Sequence, residues 1–419
     1  MNYWYKLDNA AKIFPSVTTD KRTNVFRLSA VITEDVDPQI LEEALNNTIN
    51  RFPSLKVKLK KGFFWYYLES NNARALIYPE SSHICQRIKR KENNGYLFRV
   101  SYYASRINLE VFHSLTDGTG AMELLKALVY NYLLLTGKKI DSENLILTDV
   151  EKVYEEFQDS FVKNYDSSLK NNKRDRKALQ FRGIYYEDHY LSIVNGSVDV
   201  AALKQVAKRY EATITEFLTA CYIYAAKDLL HFFKKTDRPF QIFIPVNLRR
   251  FFPSKTLRNF SLFIAAGSEL RKDLTFDEVI AGVKQEFEQE LVKEKLHERI
   301  VANVTIEKNI FLRIVPLMLK EFVMRIGYSA WGDSLNSAAF SNLGPVNIPK
   351  GMEPYVKKFI FMNGASYTCP VNLGAVSYRG TMELTFLSTI KERDLQKEFF
   401  RLLTGFGLEI TIETNELEV

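Results

Sequence analysis

Apolar residues Ile40, Leu41, Ala44, Leu45 and Ile49 follow Asp37-Pro38 at a spacing that lays one apolar face along a helix. Asp37 supplies a side-chain oxygen for the helix start, and Pro38 fits the first helical position because its missing N–H has no partner there anyway. Phe52-Pro53 ends that helix. Leu55, Val57 and Leu59 then alternate with Lys58 and Lys60, the two-residue period of a half-buried strand. Residues 23–32, rich in β-branched and aromatic side chains, predict an earlier strand. Further strands are predicted at 62–69, 97–104 and 107–112, the last two joined by a short turn. A helix then starts near Thr119 and ends before Gly137, with Leu124, Leu125, Leu128 and Val129 on its buried face. Together these elements predict an α+β domain over residues 1–145.

Residues 146–188 change character. They are polar and charge-dense, with the run Ser167 to Lys177 at their centre, and they predict a crossover linker with some helix over 150–163. Residues 189–419 then repeat the same kinds of element. A strand at 190–198 precedes a helix at 199–210, and Thr213-Ile214-Thr215 caps a longer helix running to about 231. Gln241 to Val246 reads as a buried strand. Helices follow at 276–294 and 310–327, strands at 336–342, 358–363, 372–378 and 381–388, a helix from Asp394 and a closing strand at 407–413.

A chain of 419 residues is long enough for two domains with separate cores. Hydrophobic residues make up 46% and charged residues 26%, a globular rather than a disordered balance. With 30 Phe and 22 Tyr, any cleft should be lined by rings. No run approaches the roughly 20 apolar residues of a membrane-spanning helix. The first residues lack the basic-then-apolar layout of a signal peptide. Cys85, Cys221 and Cys369 are far apart and not at metal spacing, so reduced thiols and a cytoplasmic location are expected. The net charge is +7, and basic clusters stand at Arg87 to Lys91, Lys173 to Lys177 and Arg249 to Arg258. No zinc spacing or recognition-module signature accompanies these clusters, so nucleic acid is not an expected partner. They are either solvated surface or an electropositive rim that draws in a phosphate-bearing substrate.

Among the five histidines, His113 is the chemical candidate. It follows the apolar strand Leu109 to Phe112 and precedes a turn containing Asp117, Gly118 and Gly120. Imidazole titrates near neutrality and can take a proton and return it. A buried, hydrogen-bonded structural histidine fits the same position equally well. His83, His189, His231 and His297 read as structural or surface residues. Asp117 is either the N-cap of the following helix or the partner of a guanidinium, for which Arg249, just after the Gln241–Val246 strand, is the best placed. The chain has no Gly-x-Ser-x-Gly elbow, no P-loop and no dinucleotide fingerprint, which argues against covalent serine catalysis, nucleotide hydrolysis and hydride transfer.

His113, Asp117 and Gly118 form His-x-x-x-Asp-Gly, and with it the whole chain resembles the chloramphenicol-acetyltransferase-like superfamily of acyltransferases and condensation domains. Leu41 to Leu55 resembles the early helix-to-Phe-Pro element of that group. Pro245-Val246-Asn247-Leu248-Arg249 resembles the segment whose arginine pairs with the motif aspartate. Ser341-Asn342-Leu343-Gly344-Pro345 is similar to the Ser-Asn-Val-Pro-Gly-Pro block of wax ester synthases, and Ser377-Tyr378-Arg379-Gly380 to a late hairpin. Gly62 to Glu69 looks most like bacterial alcohol acetyltransferase-like proteins.

The resemblance implies an α+β, two-domain chloramphenicol-acetyltransferase-like fold, each domain a mixed sheet flanked by helices, with a tunnel at the interface. It implies an O-acyltransferase that takes an acyl group, acetyl in the first instance, from acyl-CoA as co-substrate to a small-molecule alcohol or amine. His113 would be the general base, with no covalent intermediate. Asp117, Gly118 and Arg249 would be structural at the site, and Ser341 and Asn342 would lie on the oxyanion or acyl side. No bound cofactor, no metal, no transmembrane segment and a monomer are expected. An acyl carrier protein as donor is the alternative within enzymes, and a non-catalytic scaffold with a binding tunnel the alternative outside them. Three departures stand out. Phe112 occupies the position where condensation domains carry a second histidine, Asp-Phe-Gly-Trp-Gly of the plant enzymes is absent, and Thr215-Glu216 replaces the Asn-Asp of wax ester synthases.

Overall fold

The computed structural model describes residues 3–148, 154–166, 177–229, 238–327 and 334–416. The first half contributes strands β1 (Trp4–Lys6), β2 (Val25–Ile32), β3 (Val57–Lys61), β4 (Tyr66–Ser70), β5 (Ile77–Pro79), β6 (Phe98–Tyr103) and β7 (Arg106–Phe112). The second contributes β8 (Ser192–Asp199), β9 (Phe240–Asn247), β10 (Ser261–Ser268), β11 (Ala338–Pro345), β12 (Val356–Met362), β13 (Val371–Tyr378), β14 (Thr381–Ser388) and β15 (Ile410–Thr414). They form a three-stranded sheet β1-β4-β3, a five-stranded sheet β12-β2-β7-β6-β5 and a seven-stranded sheet β10-β9-β11-β13-β14-β8-β15. The two larger sheets are mixed: β5 runs parallel to β6, and β11 runs parallel to both β9 and β13.

Helices α1 (Phe14–Val17), α2 (Pro38–Arg51), α3 (Gly118–Leu135) and α4 (Ser160–Lys163) belong to the first half and the connection. Helices α5 (Val200–Arg209), α6 (Ile214–Lys227), α7 (Phe276–Glu290), α8 (Lys293–Lys308), α9 (Ile310–Ile314), α10 (Leu317–Gly327) and α11 (Asp394–Gly405) belong to the second. Local signals set several of their boundaries. The Asp37 carboxylate accepts from the Gln39 and Ile40 amides at 2.8 and 3.1 Å, fixing the start of α2. A full capping box between Thr213 and Glu216 starts α6. Strand β9 alternates as its sequence predicts: Phe240, Ile242, Ile244 and Val246 enter the core of the second half, and the residues between them do not.

The expected 310–327 helix is two, α9 and α10, because Pro316 cannot donate within a helix. The expected 276–294 helix stops at Glu290, and α8 begins three residues later. The 150–163 segment holds only one turn at Tyr154–Phe157 and the short α4 among its described residues. The basic middle of the linker from 167 to 176 and His231 lie outside the described residues.

One strand crosses the division expected at residues 145 and 188. β12, from the second half, pairs antiparallel with β2, and Phe359 faces Ala30 across the ladder. The five-stranded sheet is therefore completed by the other half of the chain. Gly374 of β13 faces the β12 backbone so closely that a Cβ there would collide with the Phe361 carbonyl. The two larger sheets are thus locked together beside the end of β7, where the histidine turn begins.

Candidate active site

β7 ends at Phe112, and the His113 amide donates to the Asn24 carbonyl at 2.9 Å, anchoring the start of the turn. The His113 ring stacks on Phe14, with centroids 4.7 Å apart, and meets the edge of Phe26 at 5.2 Å. Its Nδ1 lies 3.0 Å from Oδ1 of Asn259. An amide oxygen only accepts, so this contact places the proton on Nδ1 and leaves Nε2 with its lone pair free. The orientation of Asn259 is set in turn by Asp8, whose Oδ2 accepts from Asn259 Nδ2 at 3.3 Å. Asp8 is fully buried, accepts from the Ala11 amide at 2.8 Å and faces Arg258 Nε at 3.6 Å. Burial lowers the His113 pKa below its ordinary value, opposed by its own backbone, the Asp117 charge and the Asn259 bond. The ring is accordingly neutral at physiological pH.

Asp117 serves both of the roles open to it from sequence. It caps α3 by accepting from the Gly120 amide at 3.1 Å. It also accepts from Arg249 Nη1 at 2.7 Å, from Arg249 Nη2 at 3.3 Å and from the Phe260 amide at 2.9 Å. Arg249 also donates to the carbonyls of Thr256 and Arg258 and, at 3.3 Å, to Asn247 Oδ1. Both side chains are nearly buried, so removing either would strand the other as an uncompensated charge, at a cost of about 3–5 kcal/mol. Gly118 has a steric reason: a Cβ there would lie 2.6 Å from Leu343 Cδ2. Gly120 has a stricter one, since its Cβ would meet Thr116 and the Leu257 carbonyl.

His113 lines a cavity of about 150 Å³ between the halves of the chain. Arg22, Asn24 and Phe26 bound it on one side and Asn336, Gly364, Ser366 and Cys369 on the other. A larger cleft of about 1090 Å³ lies elsewhere between the halves of the chain, and His113 does not line it. Its lining includes Leu7 and Arg258, the chain neighbours of Asp8 and of the Asn259 that holds the imidazole. Seven of the cleft's lining residues are Lys or Arg, among them Lys6, Lys12 and Lys308, against the two carboxylates Asp159 and Glu307. The Asp159 carboxyl is pushed up to about 6 by burial and by the neighbouring charge of Asp8.

Ser341 and Asn342 do not line the His113 cavity. Ser341 is buried in β11, and the Asn342 amide donates to Thr215 Oγ1 at 3.1 Å while its oxygen accepts from the Gly344 amide at 2.9 Å. Their chain neighbour Leu343 packs against Gly118 of the turn. His189 meets the Tyr367 hydroxyl at 3.1 Å, His297 the Asn164 carbonyl at 2.8 Å, and His83 the Ser82 hydroxyl at 3.0 Å. Among the described residues no group of three or more His, Cys, Asp or Glu side chains is placed to hold a metal.

Sequence reasoning passed over Asn259 and Asp8, which lie 146 positions from His113 and 251 positions from each other, respectively. No local pattern marks either. The only available hint was the position of Asn259 at the end of the basic stretch closing on Arg258.

No curated protein matches the chain. Among solved structures, TRI101 of F. graminearum complexed with ethyl coenzyme A matches with a TM-score of 0.64 at 9% identity, covering 98% of this chain and 100% of that one. TRI3 trichothecene 15-O-acetyltransferase from Fusarium sporotrichioides matches with a TM-score of 0.61 at 12% identity, over 97% and 94% of the two chains. The epimerization domain of the third module of tyrocidine synthetase B matches at 0.57 and 13% identity, over 97% and 96%. At such identities the likeness is one of fold, the two-domain chloramphenicol-acetyltransferase-like architecture expected from the motif. The family described as alcohol acetyltransferase matches residues 147–402, more than half of the chain, and the protein belongs to that family of acyltransferases.

Proposed function

We propose that the protein moves an acyl group, acetyl in the first instance, from coenzyme A to the hydroxyl of a small alcohol, with His113 as general base. The observation that carries this reading is the tethered imidazole: Nδ1 is committed to Asn259, and the ring borders a cavity between the two halves. Nε2 takes the proton of the acceptor hydroxyl as its oxygen forms a bond to the thioester carbonyl carbon. The tetrahedral intermediate then collapses, the carbon–sulfur bond breaks, and Nε2 returns the proton to the thiolate. A base held this way contributes about 10²–10⁴-fold to the rate.

The excess of seven cations over two carboxylates in the lining of the large cleft supports a donor rich in phosphate, because a net charge of one sign concentrates ligands of the other. Ser341 and Asn342 are proposed for the oxyanion side, through the contact of Leu343 with Gly118. A Ser341→Ala variant with a loss of roughly 10²-fold in kcat would support that assignment, whereas unchanged kcat would remove it. Asp117, Gly118 and Arg249 are proposed to shape the turn without touching substrate.

The test is thiol release from acetyl-CoA across a panel of alcohols and amines, run beside the same acyl group on a phosphopantetheine carrier protein. Acceptor-dependent release from free acetyl-CoA supports the proposal. Release confined to the carrier-borne donor would transfer the reading to a condensation-type enzyme. Release at background with every donor and acceptor would leave a binding scaffold.

A further inference from the structure

Helix α10 is built inside out. Lys320 and Glu321 face the protein and are largely buried, while Met318, Leu319, Phe322, Val323 and Ile326 face solvent at 54–74% exposure. The inward charges are fully engaged. The Lys320 ammonium lies 3.5 Å from the Trp65 ring centroid and donates to the Phe64 carbonyl at 2.9 Å. Glu321 accepts from Lys61 at 2.9 Å and from the Tyr66 hydroxyl. A helix on the surface of a globular domain ordinarily has the reverse polarity.

The exposed face continues beyond this helix. Ile306, Ile310, Ile314, Met318, Phe322 and Ile326 recur every four residues from α8 through α9 to α10, each more than half exposed. Phe63, 72% exposed at the β3–β4 hairpin tip, stands beside them, because its carbonyl accepts from the Leu317 amide at 2.8 Å. So many large apolar side chains in one stretch mark a contact surface.

Charge identifies what the surface contacts. Arg313 and Arg325 are exposed along the same elements, and Arg313 also borders the large cleft. The nearby carboxylates are already taken, Glu307 by Lys12 and Asn9 and Glu321 by Lys61 and Tyr66. What remains is an apolar stripe with a cationic rim. A second copy docking through a twofold axis would set that rim against itself, whereas lipid phosphates complement it. No helix among the described residues is long and apolar enough to cross a membrane, so the geometry is that of an element lying in the surface plane. We propose that the face formed by α9, α10 and the Phe63 hairpin docks this protein onto an anionic lipid bilayer, with the stripe in the headgroup–acyl boundary and Arg313 and Arg325 against phosphates. The inference does not depend on the reaction proposed above.

The test is flotation of the full chain with vesicles of phosphatidylcholine alone or of phosphatidylcholine with phosphatidylglycerol, in low and in high salt, beside a solution mass measurement. The wild type is expected to float with the anionic vesicles only, and less in high salt. Phe322→Glu, and Met318→Glu as a second variant, should reduce flotation by at least roughly tenfold with unchanged melting curves, since neither side chain is packed in the core. Failure to float with anionic vesicles, equal flotation with both compositions, or flotation indifferent to both substitutions would overturn the proposal. So would a solution dimer that Phe322→Glu converts to monomer.

Discussion

The two ends of the histidine turn, four residues apart, are held in opposite ways. Asp117 receives bonds from Gly120, Phe260 and two nitrogens of Arg249, which saturate its oxygens. His113 spends one nitrogen on Asn259 and keeps the other beside a cavity. A saturated buried carboxylate has no capacity left for proton transfer but ties β7, α3 and the second half of the chain together. A tethered ring with one free lone pair contributes little to that tie and is poised for chemistry. On the proposed reading, one motif therefore divides architecture from reactivity by the number of unsatisfied valences at each end.

Breaking the saturated end should have the larger effect. Asp117→Ala leaves Arg249 buried without its partner and is expected to cost about 3–5 kcal/mol, seen as a fall in melting temperature and in soluble yield. Clean kinetics with an unchanged melt in that variant would dissolve the contrast. Asn259→Ala probes the tether at the open end, with roughly tenfold lower kcat expected as the tautomer is lost. The pH profile separates positioning from a merely structural role. Because burial lowers the His113 pKa, kcat/KM should fall with acid as the ring protonates, with a midpoint below the ordinary value of 6.5. The Asn259 bond raises that pKa, so its loss should move the acid limb to still lower pH. An unmoved limb would assign Asn259 to packing alone.

The smallest effect concerns Asp159, whose folded pKa of about 6 exceeds its ordinary 3.8. The folded state therefore holds a proton that the unfolded chain has released, and the associated stability is complete in acid and lost as pH rises through about 6. Asp159→Asn can still cap α4, so its melting temperature should exceed wild type by roughly 2 °C at neutral pH and match it in acid. Equal melting at both would show that Asp159 is ionised without penalty.

Much of the fold was legible because local chemistry decides it. Asp37-Pro38, the Thr213 capping box and the alternation of β9 each carry their own signal. Placing β12 in the first half's sheet was not legible, because a strand pattern shows which face is buried and not which neighbour it pairs with. The polarity of α10 was hidden for a related reason: an apolar period predicts a helix without saying that its apolar side faces out. At the site, the motif and the Asp117–Arg249 pair were readable from residue types in order, and the structure places that pair in contact. The Asp8–Asn259–His113 chain was not, since three short polar side chains so distant in sequence leave no periodic trace.

The role of His113 is tested most directly by turnover of His113→Ala in the acetyl-CoA thiol-release assay, on protein whose melting curve matches wild type. A loss of at least about 10²-fold is predicted, the least expected for removal of a positioned base. Wild-type turnover from that folded variant would contradict the account.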